Sequence, residues 1–87
     1  MKIHKDTIPI DDMAHDYGPV GPIRRVACAT KHSLAFWYEV GTPGDDPRVR
    51  LAVVATGEDW PENYCWVGTC SDPVRGYVWH LLKRNEP

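Results

Sequence analysis

The chain has 87 residues and a formal net charge of −2, which leaves room for one domain over residues 1–87 and gives no basic footprint for general nucleic-acid binding. No apolar run reaches membrane-spanning length and the opening Met1-Lys2-Ile3-His4-Lys5-Asp6 is no signal peptide, so the expectation is a cytoplasmic protein with no membrane partner. Three cysteines, an odd number, do not make the framework of a small secreted domain; Cys28, Cys65 and Cys70 read as reduced thiols packed like small apolar groups.

Eight prolines and seven glycines fall in clusters, and short runs of β-branched and aromatic residues lie between them. Residues 2–8 alternate Ile3, Lys5 and Thr7 against His4, Asp6 and Ile8, a polar first strand. Residues 11–15, between Pro9 and the Gly18-Pro19 pair, are the single helix candidate. Residues 23–30 form a second strand, and Thr30, Lys31 and His32 turn the chain into a third over residues 33–40. That strand puts Leu34, Phe36, Tyr38 and Val40 on one face and Ala35, Trp37 and Glu39 on the other. After a loop over residues 41–47, residues 48–56 send Val49, Leu51 and Val53 inward and Arg48 and Arg50 outward. A loop at residues 57–63, a strand at 64–69 and a turn at 71–76 follow. The last strand, residues 77–83, is expected to point Val78, His80 and Leu82 inward, opposite Tyr77, Trp79 and Leu81. The pattern predicts an all-β fold, a small antiparallel β-sandwich or partly open barrel of about six strands with little or no helix.

Two of these strands, 34–40 and 77–82, are apolar on both faces, whereas an antiparallel sheet in a small domain usually wets one. A domain this thin is expected to cover the second face with a partner, which predicts a homo-oligomer.

No residue set amounts to a catalytic constellation. Cys65 and Cys70 have four residues between them, fall on opposite strand faces and lack a second pair, so no metal site is expected. Cys70, Ser71 and Asp72 near His80 are the nearest approach to a nucleophile with a base, but the parity of His80 favours a hydrogen-bonded core histidine. Asp45-Asp46 and Glu58-Asp59 sit beside Gly or Pro and read as solvated turn residues. The arginines carry more information. Arg24 and Arg25 are adjacent on a strand, so they point to opposite faces, and Arg48 and Arg50 form a stripe. Such arginines fork onto carboxylates or phosphates, and Trp37 and Trp79 offer flat surfaces for a base. Backbone amides around Thr56, Gly57, Gly68 and Thr69 add donors where glycine admits a close approach. Solvated edge arginines and core tryptophans are the competing reading.

The segments Ile3-His4-Lys5-x-Thr7-Ile8-Pro9-Ile10, Val53-Val54-Ala55-Thr56-Gly57, Tyr64-x-Trp66-Val67-Gly68-Thr69 and Tyr77-Val78-Trp79-His80-Leu81 together resemble a family of very small proteins encoded by tailed phages and prophages. The resemblance spans nearly the whole chain and implies an accessory protein that acts by stoichiometric binding in the host cytoplasm. Its most concrete form is a non-enzymatic sponge that sequesters an anionic nucleotide-type signal at an oligomer interface, with no cofactor. A protein-binding inhibitor of a host factor is the alternative, and a small hydrolase built on His80 a distant third.

Overall fold

The structure, a computed structural model, describes residues 2–11, 13–41 and 48–85. Seven strands account for nearly all of its regular structure: β1 (Lys2–Pro9), β2 (His15–Tyr17), β3 (Ile23–Thr30), β4 (Ser33–Val40), β5 (Val49–Ala55), β6 (Tyr64–Ser71) and β7 (Val78–Arg84). They pair antiparallel into a three-stranded sheet of order β1-β4-β3 and a four-stranded sheet of order β2-β5-β7-β6. The fold is an all-β sandwich, as the alternation predicts. Among the described residues there is no helix, and so none long and apolar enough to cross a membrane.

The core lies between the sheets. Ile8, Leu34, Phe36, Leu51 and Leu81 are fully buried there, and the Tyr17 ring meets Phe36 edge-on at 5.3 Å. Leu34, Phe36 and Tyr38 face this core from β4, and Val49, Leu51 and Val53 face it from β5, with Arg48 and Arg50 outside. Removing these apolar side chains from water is the main favourable term for a sandwich of this size.

Two expectations are corrected. The described residues of the stretch 11–15 are not helical: a carboxylate oxygen of Asp11 accepts the Met13 amide at 3.0 Å, and His15 begins β2. A carboxylate that bonds its own backbone two residues on competes with helix formation, and Tyr17 is then drawn inward, donating its hydroxyl to the Thr7 carbonyl at 2.7 Å. The second correction concerns β7, whose sidedness is the reverse of that expected. Leu81 belongs to the core and Trp79 packs against it, while His80 and Leu82 lie on the outer face of the four-stranded sheet. With apolar residues at both parities, alternation cannot choose the inner face. The extra residue in β6 between Trp66 and Gly68 shifts its register against β7 by one.

The outer faces of the doubly apolar strands are covered in part within the one chain, with Trp37 and Val78 left half-buried. Ala35 and Glu39, on the outer side of β4, are 2% and 7% exposed, and Leu82, on the outer side of β7, is fully buried. On the open side of the sandwich β3 and β6 draw together. A Cβ on Gly68 would stand 2.7 Å from Val26 Cγ2, so glycine is there for close packing of the two sheets. The loop expected at residues 41–47 lies, past Gly41, outside the described residues, as do Asp45 and Asp46.

Candidate functional site

The chain turns at the end of β5 through Ala55, Thr56, Gly57 and Glu58. The Glu58 amide donates to the Ala55 carbonyl at 3.1 Å, and Gly57 sits at φ 94°, a conformation that favours glycine in this turn. The Ala55 amide donates to Glu58 Oε1 at 2.9 Å and the Thr56 amide to the Val78 carbonyl at 3.1 Å. Thr56 is therefore held at the edge of β7 with its hydroxyl 2.8 Å from His80 Nε2. On the other side of the imidazole, Nδ1 lies 2.9 Å from Thr69 Oγ1, which accepts the indole N–H of Trp66 at 2.9 Å. Thr69 is opposite His80 across the β6–β7 pair, so the register itself builds half of this chain.

An indole only donates, so one lone pair of Thr69 is committed to Trp66. The Thr69 proton then serves His80 Nδ1, the imidazole donates through Nε2 to Thr56, and the Thr56 proton is free to face outward. The opposite tautomer satisfies the same groups with the Thr56 proton on Nε2. In neither case does a carboxylate of the described residues touch the imidazole. The arrangement orients a polar edge and lacks the buried acid that stabilises an imidazolium in a hydrolytic triad.

This edge looks into a cleft of about 220 Å³ whose walls are Trp60, Trp66, Val54 and the 55–58 turn. Trp60 and Trp66 are about half exposed, at 48% and 55%. Val54 and Glu58 are shared with a second cleft of about 440 Å³ that continues past Met13, Pro61 and Tyr64. No Lys or Arg lines either cleft among the described residues. No group of three or more His, Cys, Asp or Glu converges on a common point among them.

A family model described as a domain of unknown function, DUF7352, matches residues 1–87. The chain belongs to that family. No curated protein and no solved structure matches it.

Within one copy of this DUF7352 domain, the residues singled out from the sequence fall in separate places. Arg25 and Trp37 meet on the outer face of the three-stranded sheet, the guanidinium 5.0 Å from the ring centroid, and Lys5 approaches the same ring at 5.5 Å. Arg24 does not oppose Arg25 as strand alternation predicts: the register of β3 slips between Ile23 and Arg25, so Arg24 reaches the same outer face and is ion-paired there with the buried Glu39. Arg48 and Arg50 lie at the start of β5, where Arg50 Nε donates to Asp16 at 2.9 Å and holds that carboxyl below the usual aspartate range. Thr56, Gly57 and Thr69 lie at the far end of the same sheet face, beside the Trp60–Trp66 cleft. Gly68 backs onto Val26, and Trp79 packs against the core instead of presenting a free face.

Sequence reasoning missed Trp60, Trp66, Glu58 and Lys5 as contributors. Counting back from the β6–β7 turn places Thr69 opposite His80, so that half of the relay was accessible. Lys5 was also accessible in principle, because it stands opposite Trp37 across β1 and β4.

Proposed function

We propose that the domain is a non-catalytic binding protein that seats the flat ring of a small molecule, such as the base of a nucleotide-type ligand, between Trp60 and Trp66. The observation that carries this reading is the hydrogen-bonded chain Trp66, Thr69, His80, Thr56, which fixes one indole and turns a hydroxyl and an imidazole toward the same cleft. Half-exposed indoles stack any base, and the Thr56 hydroxyl and imidazole edge supply polar contacts to the ring. With no Lys or Arg in the lining among the described residues, the phosphates of such a ligand stay at the mouth, in water. In the setting that the phage-family resemblance implies, the domain acts by sequestering a nucleotide-type signal.

The test is a thermal-shift screen of nucleosides, cyclic di- and trinucleotides and ADP-ribose derivatives against the intact protein. Ligand at a hundredfold excess over Kd stabilises the fold by about 2.7 kcal/mol. Recovery of the bound compound unchanged after denaturation supports sequestration, and a modified compound points to an enzyme. A second reading, docking to an acidic host protein, is favoured by Lys5 and Arg25 flanking Trp37 on the flat face of the other sheet. If no ring compound shifts Tm and an acidic host protein is retained on the immobilised domain, that reading replaces the first.

A further inference from the structure

We propose that Cys28 and Cys70 form an oxidisable dithiol that reacts with a low-molecular-weight disulfide admitted through the cleft between the β3–β4 turn and the β6–β7 turn. Cys28 is on β3 and Cys70 on β6, so a bond between them would join the two sheets. Their sulfurs already stand 3.3 Å apart. A disulfide bond is about 2.0 Å long, so closing it takes a movement of about 1.3 Å shared between two side chains. Close approach of the strands is independently enforced two positions away on each, where Gly68 admits Val26.

The two thiols differ in access, and the difference assigns their order. Cys28 is half-buried and lines a cleft of about 480 Å³, with Thr30 and Lys31 on one lip and Asp72, Val74 and Arg75 on the other. The second lip is a fixed turn: Asp72 accepts the Val74 amide at 2.9 Å and the Arg75 Nε at 2.8 Å. Cys70 lies behind, 8% exposed. Burial, reinforced by the neighbouring Cys28 thiol, pushes the Cys70 thiol up to about 12, which keeps it protonated and unsuited to attack first.

The Cys28 thiolate therefore attacks one sulfur of the incoming disulfide, forms a mixed disulfide and releases one thiolate, which takes up a proton. Cys70 then attacks the Cys28 sulfur. The Cys28 to Cys70 bond forms, the second small thiolate leaves, and the Cys70 proton passes to it. Two protein thiols are oxidised and one disulfide is reduced to two thiols.

The probe is oxidised glutathione, added to the reduced full-length protein. The expected product has one titratable thiol under denaturing conditions in place of three and has lost the mass of two hydrogens. Peptide mapping should join Cys28 to Cys70, dithiothreitol should reverse the change, and Tm should rise by roughly 10 °C or more. In Cys70→Ser the reaction should stop with glutathione retained on Cys28. The proposal is overturned if the wild-type protein, whose folding is not in question, takes glutathione only at the exposed Cys65, or dimerises through Cys65, while Cys28 and Cys70 remain free thiols.

Discussion

Gly68→Ala tests how the two sheets close on each other. The added Cβ would lie 2.7 Å from Val26 Cγ2 and 3.2 Å from Val26 Cβ, whereas carbon atoms in contact prefer about 3.5–4.0 Å. Turning the Val26 side chain moves Cγ2 but leaves the Cβ contact, and a β-branched residue on a strand has few other rotamers. Relief must then come from parting β3 and β6. Overpacking of this kind costs about 1–3 kcal/mol, offset by about 0.4–1 kcal/mol because alanine restricts the unfolded chain more than glycine does. A net loss of about 1–2 kcal/mol lowers Tm by roughly 4–16 °C in a domain of this length. Urea unfolding followed by tryptophan fluorescence reads the loss, and a cycle with Val26→Ala reads its cause. In the Val26→Ala background, Gly68→Ala should cost at least about 1 kcal/mol less, since the nearer methyl is gone. Equal costs in both backgrounds, or an unchanged stability in the single variant, would refute the packing argument. Loss of ligand binding without loss of stability would return Gly68 to a binding role.

Arg24→Ala should destabilise the fold by about 1–3 kcal/mol because it strands the 7%-exposed Glu39, whereas Arg25→Ala should cost no more than about 1 kcal/mol, the worth of an exposed cation over an indole; paired urea melts decide. Thr56→Val should cost about 0.5–1.5 kcal/mol by removing the His80 Nε2 partner and should abolish the shift produced by a ring ligand, as thermal melts with and without ligand will show. Trp60→Ala should leave Tm nearly unchanged, because that indole is half exposed, yet weaken the same ligand by roughly 5- to 150-fold in a titration. Asp72 is held below the usual aspartate range by the Val74 amide and then by Arg75, and Asp16 by Arg50. A carboxyl with a lower pKa folded than unfolded contributes its full stability at neutral pH and loses it as pH falls below about 4. Tm should therefore drop through that acid range, and less steeply in Asp72→Asn.

The strand plan was legible because the turns were strongly marked and one strand alternated cleanly. Arg48, Val49, Arg50, Leu51 reads in only one way, and the structure has it that way round. Where polar marks are missing, the sequence underdetermines the face. In β7, Val78, Trp79, His80, Leu81 and Leu82 offer apolar groups at both parities, and the side that wins is set by partners far along the chain: Val53 and Ala55 on β5, and Cys70 on β6. β2 escaped notice for another reason. A three-residue strand is too short to show a period, and what commits it is a side-chain bond from Asp11 and the burial of Tyr17.

The same reversal decides what the candidate site is made of. With His80 inward, its polar needs would be met in the core and the outer face of β7 would carry Trp79, a flat ring that pairs with Ala55 at the end of β5 away from Arg48 and Arg50. With His80 outward, Trp79 goes to the core and the imidazole falls between two threonines, beside indoles from β6 and the loop that follows β5. Arg48 and Arg50 remain on this face but at the other end of β5. Thr56 is six positions on from Arg50, about 20 Å of extended chain. A ring between Trp60 and Trp66 therefore draws its phosphate partners, if it has them, from beyond the cleft or from another copy. This is why the screen should set nucleosides beside nucleotides. Equal shifts for the two would place all of the recognition in the ring, and a shift confined to the phosphorylated form would require a cation that the cleft does not itself provide.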